Sequence, residues 1–278
     1  MLPLFPHSRI NSSSLKAYVA GVGAGRLHDL YSIHPGTANE VQRLVKAGSR
    51  FGIGAIIGEE CTHGYQKDGH TLFPAPITQA ATWNLTLLEK IGRAVGAEAK
   101  SFGASECWGP ILGLAREPRW GRTNEAFSED TFLAKAIGRS VVRGIQNGNN
   151  FSAGAAAPAV SALLKHYAVY SGPTSGLNTA SARLGRREVL SEWLPVFGAS
   201  IREGALGVMS SYNAVDGEPA SASHWLLSEV LRGKYGFQGA TIGESRSRSA
   251  LRTYSSGTTM LVVNRVSACL AHTQCCVC

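Results

Sequence analysis

No stretch of this 278-residue chain reaches the roughly 18 uninterrupted apolar residues of a membrane span. The nearest, Ala153 to Leu164, is short, alanine-rich and broken by Pro158. Low-complexity tracts and internal repeats are also missing. Leu2 to Pro6 is too short for the apolar core of a signal peptide, and Arg9, Asn11 and three serines follow at once. Without an export signal the sequons at Asn11, Asn84 and Asn150 are expected to be idle. The compartment stays open, since an intracellular protein and a lost first exon both fit.

Acidic residues are the scarcer charge, 19 against 27 lysines and arginines, for a net +8. That excess does not make a nucleic-acid surface. Arg246, Arg248, Arg252 and Arg265 against Glu244 put +3 of it into residues 244–278, and the other +5 is scattered. No basic helix or aromatic–basic alternation appears. Cysteine is sparse before the tail, with four of six (Cys269, Cys275, Cys276, Cys278) in the last ten residues. His272 lies among them, but their spacing matches no structural zinc pattern, so no metal is expected. Cys61 and Cys107 sit singly in apolar sequence and are expected to behave as free, small hydrophobes.

What is present is ordinary for a soluble globular chain, 44% hydrophobic and 17% charged. Short apolar strands are expected at Ile53–Gly58, Pro110–Leu114, Val160–His166, Gly207–Ser211 and Ala240–Gly243. Helical patterns fall between them at Ala38–Gly48, Ile77–Phe102, Thr131–Gln146, Arg186–Glu203 and Trp225–Tyr235. Asp130 suits an N-cap, and Gly204 and Gly236 suit helix ends. Leu27-His28-Asp29 reads as loop, and the Gly21-x-Gly23-x-Gly25 run has no helix in register for a dinucleotide site. Strand–helix alternation implies an α/β fold with a parallel sheet and crossover helices.

The most informative segment runs from Gly109 to Asp130, GPILGLAREPRWGRTNEAFSED. Ile111, Leu112 and Leu114 give way to three arginines, Trp120 and four carboxylates. A buried strand delivering ions at its C-terminal end is how parallel α/β enzymes build polar sites. This stretch resembles the D-P-R-W-G-R-x-x-E-x-x-x-E-D signature of glycoside hydrolase family 3, the β-glucosidase and β-xylosidase group. Four further segments fit the family in order: Glu59-Glu60-Cys61-Thr62-His63-Gly64, Thr71-Leu72-Phe73-Pro74 with Ala81-Thr82-Trp83-Asn84, Leu164-Lys165-His166-Tyr167, and Val208-Met209-Ser210-Ser211-Tyr212-Asn213.

The resemblance implies a partial (β/α)8 barrel over residues 18–243, after an irregular segment 1–17 and before a tail, 244–278, that departs from the family. The change after Gly243 is expected of a lost reading frame or unspliced intron, with natural truncation as the competing account. By the same resemblance, Glu60 stands where the family has a hydroxyl-gripping acid, usually Asp. Arg122, rather than Arg119, matches the sugar-binding arginine. Lys165 and His166 match a hydroxyl-donating pair, Tyr212 an aromatic near the nucleophile, and Met209 the pocket wall. Taken alone, Lys165-His166 reads as a strand end meeting water, Glu60 as a surface acid and Tyr212 as core. Arg119 is expected to pair with Glu125, Glu129 or Asp130, and Trp83 and Trp120 to pack.

Retaining hydrolysis needs a nucleophile and an acid/base about 5 to 5.5 Å apart. Glu244 occupies the place of the family's nucleophilic Asp, one methylene longer, at the point where similarity stops. The acid/base comes, in most of the family, from beyond the barrel, and no residue is assigned to it. The implied ligand is a small-molecule or oligosaccharide β-glycoside, cleaved at its terminal non-reducing sugar without cofactor or metal. This chain is expected to be truncated and weakly active or inactive, with a non-catalytic sugar-binding fragment as the alternative. A β-N-acetylhexosaminidase is disfavoured because Lys165-His166-Tyr167-Ala168-Val169-Tyr170 departs from the Lys-His-Phe-Pro-Gly-His-Gly of those members. Sugar identity, linkage and oligomeric state are left open.

Overall fold

The computed structural model describes residues 12–20, 23–28, 30, 35–67, 69–146, 160–243 and 261–262. Helix α1 (Ser12–Val19) leads to strand β1 (Arg26–Leu27), helix α2 (Pro35–Gly48) and strand β2 (Ile56–Glu60). Helices α3 (Pro76–Ala80) and α4 (Leu85–Ser101) precede β3 (Glu106–Ile111), and α5 (Thr131–Ile145) precedes β4 (Ser161–Tyr167). One continuous helical rod follows: α6 (Arg186–Glu188), a π-helical turn (Val189–Trp193) and α7 (Leu194–Arg202). Then come β5 (Gly207–Ser210), a hairpin of β6 (Ala214–Val215) and β7 (Glu218–Pro219), a π-helical segment (Trp225–Lys234), β8 (Ala240–Gly243) and β9 (Leu261–Val262).

Strands pair in the order β1-β2-β3-β4-β5-β8-β9, all parallel, which is the α/β partial barrel expected. Parallel strands require crossovers, and the helices supply them along one face. Leu88, Val95, Ala134, Ile137, Val141, Leu194 and Phe197 pack there against Cys107, Ala162, Leu164 and Val208 of the strands. A separate cluster beneath β1 and β2 joins Leu15 and Val19 to Val41, Leu44, Val45 and Ile57. The opposite face is the barrel interior, where Trp108, Leu163, Met209 and Ile242 meet.

Local rules explain most boundaries. Asp130 caps α5 by accepting from Leu133 N at 2.7 Å, and Gly204 and Gly236 end their helices at φ 99° and 67°. Three departures are instructive. The helix expected over 77–102 is two helices, because Trp83 takes φ 53° and Asn84 restarts the rod as N-cap, accepting from Leu87 N at 3.0 Å. Strand β3 begins four residues before the expected Pro110, since charged Glu106 is buried in it with a partner. Leu27 belongs to strand β1 rather than loop, pairing with Ile57.

Helices α4 and α5 touch through glycine. A Cβ at Gly96 would lie 2.3 Å from Ile145 O, and one at Gly144 would lie 2.3 Å from Glu89 O. Replacing a helical glycine by alanine gains about 0.5–1 kcal/mol of helix propensity. Overpacking a close backbone contact costs about 1–3 kcal/mol. Sterics therefore win at Gly96: Gly96→Ala should destabilise the fold by about 1–2 kcal/mol in urea titration. Gly36→Ala, with nothing within 4 Å of its Cβ, should be neutral or slightly stabilising.

Candidate active site

The strand ends gather the charged residues of the interior. Glu60 closes β2, and its Oε2 lies 2.5 Å from Lys165 Nζ on β4. The Lys165 side chain is only 2% exposed, against 27% for Glu60, so the ammonium is sealed and its carboxylate looks outward. Burying an ammonium is tolerable only with a partner of this kind. Thr62 Oγ1 also donates to Glu60 Oε2, at 3.4 Å. The Lys165–His166 peptide bond is cis.

Arg122 comes from the loop after β3. Its Nε and Nη2 reach the Glu125 carboxylate at 3.0 and 2.7 Å, a fork that fixes the guanidinium plane. Nη1 donates to Tyr170 Oη at 3.4 Å, Nη2 stands 3.4 Å from His166 Nε2, and the guanidinium lies 5.3 Å from the Tyr170 ring centre. Tyr170 is the hub of an aromatic group: its ring is 4.8 Å from His166, 5.4 Å from Trp120 and 5.9 Å from Tyr212. Val169, in the left-handed region at φ 60°, makes the reversal that precedes it. Strain in a β-branched residue is typical of ligand-clamping turns.

Beneath these groups the interior is filled by a polar stack. Arg26 of β1 donates to Glu106 at 2.7 Å, and Trp108 Nε1 donates to the other oxygen of Glu106 at 3.0 Å. His28 lies on the Trp108 ring at 3.8 Å and its Nδ1 is 2.9 Å from Gly58 O. Glycine makes room for this stack. A Cβ at Gly58 would fall 2.4 Å from Trp108 Nε1, and one at Gly207 would fall 2.5 Å from Leu163 Cδ1 and 3.2 Å from Glu106 Oε2. Desolvation raises the Glu106 pKa and lowers that of Arg26, each opposed by its partner.

Glu60 and Lys165 thus form one pair and Arg122, His166, Tyr170 and Tyr212 a second group, linked by the charge of Lys165 acting on His166, while Met209 lies buried in the interior cluster with Trp108. Glu244 lies outside the described residues, as do Cys269, Cys275, Cys276, Cys278 and the arginines of the tail. Three expectations need correction. Arg119 pairs with Glu117 at 2.7 Å on the surface, and Glu125 goes to Arg122 instead. Trp83 does not pack but is 76% exposed, whereas Trp120 is buried and donates to Asn178 at 2.9 Å. Cys61 and Cys107 are not free thiols; they form a disulfide between the adjacent strands β2 and β3.

Sequence reasoning missed Tyr170 and the Arg26–Glu106–Trp108–His28 stack. Tyr170 stands four residues after His166, a visible aromatic in a segment already singled out. The stack had no signal beyond its polarity. Among the described residues no group of three or more histidine, cysteine or acidic side chains could hold a metal, and no helix is long and apolar enough to cross a membrane.

An α/β half-barrel with ions and aromatics at its strand ends is the class this geometry defines. The profile described as Glycosyl hydrolase family 3 N terminal domain matches residues 15–268, taking in the segment just after Gly243. The chain belongs to that family. It is similar to a putative β-xylosidase of Formosa agariphila, 33% identical over 214 residues, covering 77% of this chain and 28% of that protein. Its fold superposes on a β-glucosidase from Erythrobacter marinus with TM-score 0.77 at 31% identity, over 86% of this chain and 32% of that one. A Listeria innocua β-glucosidase solved in complex with glucose matches at TM-score 0.69 and 30% identity, over 77% of this chain and 29% of that one. The chain therefore spans less than a third of each of these proteins.

His166 generates a prediction of its own. Burial, then Lys165 and Arg122, hold its pKa well below the ordinary value, so the folded imidazole is neutral. A depressed folded pKa means the unfolded chain takes up a proton first. The stabilisation from neutral His166 is present above the unfolded value of about 6.5 and is lost as pH falls below it. Unfolding free energy measured from pH 7.5 to 5 should fall more steeply for the wild type than for His166→Gln. Parallel slopes would contradict the assignment.

Proposed function

We propose that this chain carries the sugar-binding half of an exo-acting, retaining β-glycosidase site, selective for a terminal pyranose such as β-linked glucose. The reading rests on one juxtaposition. A partly exposed carboxylate (Glu60) paired with a sealed ammonium (Lys165) neighbours a neutral imidazole (His166) and a clamped guanidinium (Arg122). Sugar hydroxyls both donate and accept, so a ring of charged donors and acceptors grips several at once with charge-assisted bonds. Tyr212, partly exposed and backed by the buried Tyr170 ring at 5.9 Å, would offer a ring face to the sugar's apolar side. Glu60 would accept hydrogen bonds from sugar hydroxyls, while Lys165 and Arg122 would donate to hydroxyl oxygens.

Turnover needs more. Both site carboxylates named here already hold a cation, Glu60 with Lys165 and Glu125 with Arg122, and are engaged in positioning. In sequence, Glu244 takes the nucleophile's place. Without general acid assistance a glycosidase forfeits roughly 10²- to 10⁴-fold in rate. The 278-residue chain by itself is accordingly a sugar binder with weak or no hydrolysis.

Calorimetric titration with glucose tests this. Binding should be seen, and Glu60→Gln or Lys165→Ala should weaken it by roughly ten- to a hundredfold, the worth of a hydrogen bond to a charged group. Heat-free titration of folded protein would sink the site. Turnover of an aryl β-glucoside at the rate of a full-length relative, abolished by Glu244→Gln, would overturn the claim of weak hydrolysis and establish the nucleophile.

A further inference from the structure

We propose that the Cys61–Cys107 disulfide is a positioning brace for Glu60, so that the affinity of the site for sugar depends on the oxidation state of this pair. The inference rests on reading Glu60 as a sugar-binding group. Glu60 is the last residue of β2, and the β2–β3 ladder ends there, with Glu59 opposite Cys107 and Glu60 opposite Trp108. One residue on, Cys61 N reaches Trp108 O at 3.4 Å, longer than a good backbone bond of about 2.9–3.0 Å. Hydrogen bonding thus weakens at the point where Glu60 must be held. The chain then leaves the sheet, and among the described residues only an isolated bridge between Gly64 and Leu72 precedes α3 at Pro76.

The disulfide supplies what the ladder lacks. Both sulfurs lie on the helix-facing side, within the main apolar core, while Trp108 and the Glu60–Lys165 pair lie on the interior side. Cys61 and Cys107 are 5.2 Å apart at Cα, a separation suited to bridging without backbone movement. The bond pins β2 to β3 from behind, and Glu60 projects from the pinned end. At Gly109 a Cβ would lie only 3.3 Å from Cys61 O, so β3 fits closely against this strand end. Reduction by a dithiol breaks the S–S bond to two thiols. Two electrons and two protons come from the dithiol, which closes to its own cyclic disulfide. Beyond the ladder the strand end is then held by the 3.4 Å Cys61 N–Trp108 O bond, by Gln66 N donating to Glu60 O at 3.2 Å and by packing, and the Glu60 carboxylate keeps Lys165 but sits on a loosened backbone.

The test uses the full chain, with glucose as the probe. Alkylation without reductant, followed by digestion and mass spectrometry, should show the Cys61 and Cys107 peptides linked; two alkylated thiols in folded protein overturn the proposal. With dithiothreitol, and reduction verified by mass, glucose affinity should weaken by on the order of tenfold, as expected of a small displacement of one positioned group. Unchanged affinity overturns it. A general loosening is told apart by background. In His166→Gln protein the effect of reduction should persist, and in Glu60→Gln protein it should vanish; equal effects in both overturn the brace. Because these arms use the two native cysteines, they do not depend on a cysteine variant folding. Failure of the sugar-site reading looks different: Glu60→Gln would then leave glucose affinity of the oxidised protein untouched, and the proposal falls with it.

Discussion

A lysine ammonium sealed to 2% exposure at the end of a parallel strand sets the terms for everything above it. Unpaired, such an ion would give up its charge or unfold its surroundings. Lys165 keeps its place because Glu60 stands 2.5 Å away, yet the two residues come from β4 and β2, with β3 between them. Strands two apart in a flat sheet are separated by about 9–10 Å. Contact between these two side chains across the face of β3 is what a curled sheet permits, where neighbouring strands turn their inner faces toward a common axis. Pair and curvature support each other.

Below the pair, the interior is filled by an unusual choice of residues. Barrel interiors are mostly packed with branched apolar side chains. Here Arg26, Glu106, Trp108 and His28, each bonded or stacked on the next, share that place with Leu163, Met209 and Ile242. Gly58 supplies the space, since a side chain there would collide with Trp108, and at Gly207 one would collide with Leu163 and crowd Glu106. A buried network of this kind earns little net stability against an apolar alternative, but it allows few arrangements. Its effect is to fix where Trp108 sits, directly opposite Glu60 in register.

Much of this was legible in the letters, and the exceptions share a cause. The five ordered motifs place Glu60, Arg122, Lys165, His166, Met209 and Tyr212 at or near strand ends, because side chains that must converge from separate strands leave short, spaced signatures. The apolar-run rule found β4, β5 and β8, each built on a largely aliphatic run (Ala162 to Leu164, Val208 to Met209, Ala240 to Ile242), and misplaced β3, whose first residues are Glu106, Cys107 and Trp108. Strand β1 escaped it because its inward side chain is an arginine. The disulfide joins residues 46 apart, so only the adjacency of β2 and β3 brings the two cysteines together. The helix break at Trp83–Asn84 hides behind continuous periodicity, since a cap hydrogen bond and one residue at positive φ leave no apolar gap. Tertiary partners decide each of these.

The charged ring also raises a question of physics, since its proposed ligand is neutral. Ion pairs as exposed as Arg122–Glu125, with both side chains 26% accessible, contribute little to folding, about 0–1 kcal/mol. Their worth lies in orientation. Glu125 grips Arg122 by a fork, leaving Nη1 and the edge of Nη2 to face Tyr170 and His166. His166 then has to be neutral, because a third positive charge beside Lys165 and Arg122 in a buried place would be expelled. A neutral imidazole can serve a hydroxyl as donor or acceptor, according to its tautomer. The proposed sugar would therefore meet dipoles already aimed, the ordering cost having been met by the fold before the ligand arrives.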